Sequence, residues 1–86
     1  MVIRSFLREN GLESPLNEQR IVDAWPKVIG PSMAKYSREV YIKNEVLYVH
    51  LTSSALRQEL MMARERLVRE LNAQVGATVI KNIIFR

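Results

Sequence analysis

Val40-Tyr41-Ile42-Lys43-Asn44-Glu45-Val46-Leu47-Tyr48-Val49-His50-Leu51 is the stretch on which the fold turns. Val40 and Ile42 alternate with Glu39, Tyr41 and Lys43, and Leu47, Val49 and Leu51 alternate with Val46, Tyr48 and His50. A period of two marks half-buried strands, because successive side chains point to opposite faces. Asn44-Glu45 interrupts the alternation where a two-residue hairpin turn would fall. With that loop, Lys43 pairs with Val46 and Tyr41 with Tyr48. Val40, Ile42, Leu47, Val49 and Leu51 then share the core face. Tyr41, Tyr48, Lys43, Glu39 and His50 share the other.

After the hairpin the period lengthens. Thr52-Ser53-Ser54 supplies helix caps. Leu56, Leu60, Ala63, Leu67 and Leu71 then form one stripe of a single long helix running to Gly76. Thr78–Arg86 is β-branched and aromatic, with Ile83 and Phe85 on one face and a bulge expected around Lys81-Asn82. Before the hairpin, Ile3, Phe6 and Leu7 predict a helix over about residues 2–10, stopped by Asn10-Gly11. Ser14-Pro15-Leu16 reads as a turn, with Asn17 as cap of a second helix. That helix is marked by Ile21, Ala24, Trp25 and Val28 and ended by Gly30-Pro31. Pro26 within it lacks a backbone donor and predicts a kink or restart. A short helix over Ser32–Tyr36 follows, with Pro31 at its first position. The order α-α-(short α)-β-β-α-β describes one α+β domain over residues 1–86, helices on one face of a three-stranded sheet, with no linker or disordered tail.

Composition narrows the function. The 86 residues contain no cysteine, which removes disulfides, thiolate metal sites and cysteine nucleophiles together. Apolar runs such as Ile83-Ile84-Phe85 fall far short of the roughly 20 residues needed to cross a bilayer. Arginine interrupts the apolar N-terminal stretch, so no secretory signal is read and a cytoplasmic location is expected. His50 is the only histidine and no carboxylate cluster has ligand spacing, so neither a metal nor another cofactor is expected. Ser53 and Ser54 read as caps rather than nucleophiles, and glycines at 11, 30 and 76 write neither a phosphate loop nor a GxxG clamp. Catalysis is not expected. The net charge is +4, with six bases against three acids in residues 53–86. A basic surplus there suits a polyanionic partner, whose phosphates release counterions when neutralised.

Trp25, Val28-Ile29-Gly30 and Met33-Ala34-x-Tyr36-Ser37 resemble the signature of the DciA family. So do Leu47-x-Val49-x-Leu51-x-Ser53-Ser54-Ala55, Glu59-Leu60, Leu67-x-x-x-Leu71-Asn72, Gly76 and Ile83-x-Phe85. Leu7-x-x-Asn10-Gly11-Leu12 looks like the family's first helix and turn, so the resemblance covers nearly the whole chain. It implies a bacterial helicase operator, the antecedent of the DnaC and DnaI loaders, which assists the replicative helicase DnaB, binds DNA and uses no ATP. It also implies a KH-like fold.

Candidate nucleic-acid contacts are Tyr41, Lys43 and Tyr48 on the outer sheet face, Arg57 and Arg64 beside the leucine stripe, and Lys81 and Arg86 from the last strand. Paired tyrosines among cations suit stacking on single-stranded bases, whose phosphates the cations follow. Trp25 and Met61 are candidate partner contacts, Trp25 being weighed against a place in the core. The expected function is a non-enzymatic replication accessory that contacts DnaB and binds DNA, single strands favoured. The alternative is a protein-interaction domain, possible as a homodimer, without physiological nucleic-acid binding.

Overall fold

A computed structural model describes residues 14–86. The expected first helix over residues 2–10 lies outside the described residues. Helix α1 spans Ser14–Ile29, α2 Pro31–Ala34, α3 Ser54–Met62 and α4 Arg64–Val75. Strands β1 (Ser37–Lys43), β2 (Val46–Leu51) and β3 (Asn82–Phe85) form one sheet in the order β1-β2-β3. The class is α+β.

The hairpin has the register its alternation requires: Lys43 opposite Val46, Tyr41 opposite Tyr48 and Val40 opposite Val49, antiparallel throughout. Asn44 and Glu45 both take positive φ, 52° and 65°, which is the backbone of a type I′ turn. A bulge separates Ser37 from Glu39, so that Ser37 rather than Arg38 stands opposite Leu51 on the core face. Continued alternation would have pointed the Arg38 guanidinium into the core; instead Arg38 is exposed.

Leu47, Val49, Leu51, Ile80 and Ile83 are buried against Leu56, Leu60, Leu67 and Leu71, with Ile21, Ala24 and Trp25 of α1 completing the core. The leucine stripe therefore has the expected phase. Its helix does not stay whole. Ala63 leaves the helical region (φ −99°, ψ 9°) and its N–H turns back to the carbonyl of Leu60, giving an elbow between α3 and α4. Ser53 caps α3 as expected, its Oγ accepting from the Leu56 N–H at 3.2 Å. Gly76 closes α4 in the left-handed region.

Three local expectations need correction. Asn17 does not cap α1; it lies inside a helix that already begins at Ser14. Pro26 causes no restart, and α1 runs through it to Ile29. The irregularity before Asn82 is not a bulge but a loop. Asn72 holds it: Oδ1 accepts from the Val79 and Ile80 N–H groups at 3.0 and 3.1 Å, and Nδ2 donates to the Ile80 carbonyl at 2.9 Å. That clasp satisfies backbone groups which would otherwise lack a sheet partner. From this loop β3 enters parallel to β2, with Leu47 beside Ile83, Tyr48 beside Ile84 and Val49 beside Phe85.

Candidate nucleic-acid interface

The core occupies one face of the sheet, and among the described residues the other face carries exposed and half-buried side chains. On that outer face Tyr41 and Tyr48 stack, ring centroids 5.1 Å apart and planes 13° from parallel. Arg86 prolongs the β3 ladder, its N–H donating to the Val49 carbonyl, and its guanidinium lies 4.9 Å from the Tyr48 ring. The strand order puts Tyr41 and Arg86 on opposite flanks of Tyr48. Tyr48 is thus sandwiched, whereas among the described residues Tyr41 is stacked on one ring face and borders a hollow with Pro15, Glu18 and Gln19 of α1. Lys43 and His50 are exposed on the same side of the sheet.

A second basic group forms where α4 meets β3. Arg64, Glu65, Val68 and Arg69 face Lys81 and Asn82 across an open cleft of about 270 Å³. Arg69 also lines an adjoining hollow of about 420 Å³ that runs past Asn72 to Gly76 and Thr78. Three cations and one carboxylate therefore border the cleft. Lys81 Nζ lies 3.4 Å from the Glu45 carboxylate at the hairpin turn, and the Lys81 N–H donates to the Glu45 carbonyl at 2.8 Å. Among the described residues, neither Arg64 nor Arg69 forms an ion pair with an acid. Of the two i,i+4 charge pairs on α4, Arg66–Glu70 forms at 3.9 Å between exposed side chains. Glu65 and Arg69 instead border the cleft.

The structure brings together Arg64 and Lys81, and separately Tyr41, Tyr48 and Arg86. Lys81 joins the two groups through its bonds to the turn that follows Lys43. Arg57 stands apart: the elbow at Ala63 separates it from Arg64, it does not line the cleft, and it is half-buried. Arg69 is the cation that sequence reasoning missed. It stands among Glu65, Arg66 and Glu70, a mixed-charge run in which no pattern singles out one arginine, and only the parallel docking of β3 brings Lys81 opposite it. Trp25 belongs to the core. It is 1% exposed, its indole N–H donates to Ser37 Oγ at 3.0 Å, and its ring meets Phe85 at 6.1 Å. It offers no surface to a partner. Met61 is exposed at the elbow.

Among the described residues no group of three or more His, Asp or Glu side chains could hold a metal ion, and no helix is long and apolar enough to cross a membrane. The arrangement gathers three cations at one open cleft and, separately, a stacked tyrosine pair on the outer sheet face.

Residues 1–85 match the family model described as Dna[CI] antecedent, DciA. The chain belongs to the DciA family. DciA proteins are replication accessories associated with the replicative helicase DnaB, which gives this DciA chain a DNA-replication role alongside the helicase. No curated protein matches the chain.

Proposed function

We propose that this DciA-family domain is a cytoplasmic, non-enzymatic partner of DnaB that binds single-stranded DNA with its α4–β3 cleft and the neighbouring tyrosine face. The convergence of Arg64, Arg69 and Lys81 on one open cleft carries the proposal. Guanidinium groups suit phosphate oxygens because their planar forks donate in pairs. Tyr41 supplies a sequence-tolerant stacking surface on the outer sheet face, and Lys43 lies at the hairpin end, next to the turn that Lys81 of the cleft is bonded to. The order ββααβ agrees with a KH-like fold, but Met61-Met62-Ala63-Arg64 at the elbow contains no glycine and writes no GxxG clamp. The cleft, rather than a clamp, takes the backbone.

Fluorescence anisotropy of a labelled oligothymidine across salt concentrations tests this directly. Binding should weaken log-linearly with salt, with a slope of about 0.7 per phosphate neutralised on a single strand. Arg64→Ala, Arg69→Ala and Lys81→Ala should each lower that slope. Absence of binding at about 50 mM salt would discard the DNA reading and leave a protein-interaction domain. Co-purification with DnaB tests the helicase contact separately.

A further inference from the structure

Apart from the basic cleft, the elbow between α3 and α4 carries a feature that DNA binding does not use. Met62 is 90% exposed and Met61 51% exposed, side by side in a domain whose leucine stripe is buried. Met62 also helps to line an open hollow of about 600 Å³, at whose rim its exposed side chain stands. Ile29 of α1, Met33 of α2, Leu60 of α3 and Leu67 of α4 give it an apolar lining, and Glu59 and Arg66 supply its charges. An apolar cavity of about 150 Å³ already accommodates a benzene-sized group, so this hollow has room for a methionine side chain and its neighbours.

The geometry points to a second copy of this chain as the occupant, docked elbow to elbow about a two-fold axis. A two-fold interface must be self-complementary, each patch meeting itself turned around. Here a projecting apolar side chain adjoins a hollow able to receive one. The unbranched, polarisable Met62 of one copy enters the hollow of the other, and the reverse contact forms by symmetry. The charges obey the same rule. Glu59 and Arg66 lie equally far along the chain on either side of Met62 and Ala63, and both border the hollow. Rotation about an axis through the elbow brings Glu59 of each copy to Arg66 of the other. Arg66 is available for this exchange, because its pairing with Glu70 is long, 3.9 Å, and solvent-exposed. A patch carrying only one sign of charge would repel its own copy; this one carries both signs in the arrangement that attracts it.

Sedimentation velocity over a concentration series tests the proposal, and a charge swap makes it specific. The wild-type chain should show a concentration-dependent monomer–dimer equilibrium. Met62→Glu should raise the dissociation constant by about tenfold or more, while leaving thermal stability near wild type because Met62 is almost fully exposed. Glu59→Arg and Arg66→Glu should each suppress dimers when alone. Mixed together they should restore them. The first variant then presents arginine at both positions and the second glutamate at both, so each cross-pair of the heterodimer again joins opposite charges. A chain that stays monomeric at every concentration, or dimers indifferent to all three substitutions, would overturn the proposal. None of these residues lines the α4–β3 cleft, so single-strand affinity reports on the DNA reading independently.

Discussion

Asn72 grips Ile80 by both of its backbone polar groups, accepting from its N–H and donating to its carbonyl. Ile80 is fully buried, so those groups have no access to water as an alternative partner. Asn72→Ala should therefore cost about 1–3 kcal/mol by urea denaturation, the penalty of leaving buried amide groups unpaired. Asn72→Asp keeps the acceptor but opposes a carboxylate oxygen to the Ile80 carbonyl. It should be no better than alanine. Because the loop continues directly into Lys81, both variants should also lower the salt slope of DNA binding.

The Trp25–Ser37 bond makes a second prediction. Ser37→Ala leaves a buried indole N–H without its acceptor and should cost about 1–3 kcal/mol, read from the same denaturation curves. Removing both partners with Trp25→Phe and Ser37→Ala together should give less than additive loss in the polar term, on top of the cost of the smaller ring.

Glu45 sits at φ 65°, where a side chain with a Cβ is disfavoured and glycine is not. Glu45→Gly creates the Asn-Gly pair preferred in type I′ turns and should raise the melting temperature. The opposing term is the exposed Lys81–Glu45 ion pair, worth about 0–1 kcal/mol. Salt screens that pair in the wild type alone, so the advantage of Glu45→Gly should grow as ionic strength rises.

The sandwiching of Tyr48 separates the two tyrosines functionally. Tyr41→Ala removes the proposed stacking ring and should weaken oligothymidine binding by about 1–3 kcal/mol with little change in salt slope. Tyr48→Ala should affect stability at least as much as affinity, since its ring holds both Tyr41 and Arg86 in place. Equal affinity of wild type and Tyr41→Ala would remove the tyrosine face from the binding surface.

The hairpin and the leucine stripe were legible because each repeats a geometric period, and burial follows the period residue by residue. The elbow was not. Leucine spacing continues unbroken through Ala63, and no glycine or proline marks the point where the backbone departs from the helix. The Asn72 clasp was also hidden, because a side-chain bond spanning eight residues leaves no local pattern. The cleft followed the same logic. Arg64 and Lys81 were visible as separate cations, but their meeting with Arg69 depends on β3 lying parallel to β2 at the sheet edge, which the strand sequences do not specify. Trp25 could be read either way from a helical stripe; the bulge that turns Ser37 inward places its indole in the core.

That bulge has a consequence for how the protein behaves at high concentration. β1 is an edge of the sheet among the described residues, and an unbroken seven-residue edge offers its free amides and carbonyls to any other extended chain. The extra residue breaks the ladder between Ser37 and Glu39, and Arg38, Glu39 and Lys43 surround the remaining edge with charge. A second strand therefore finds only a short template before the spacing fails. The irregularity that seats one serine beneath a tryptophan also shortens the template that the β1 edge offers to amyloid-like growth.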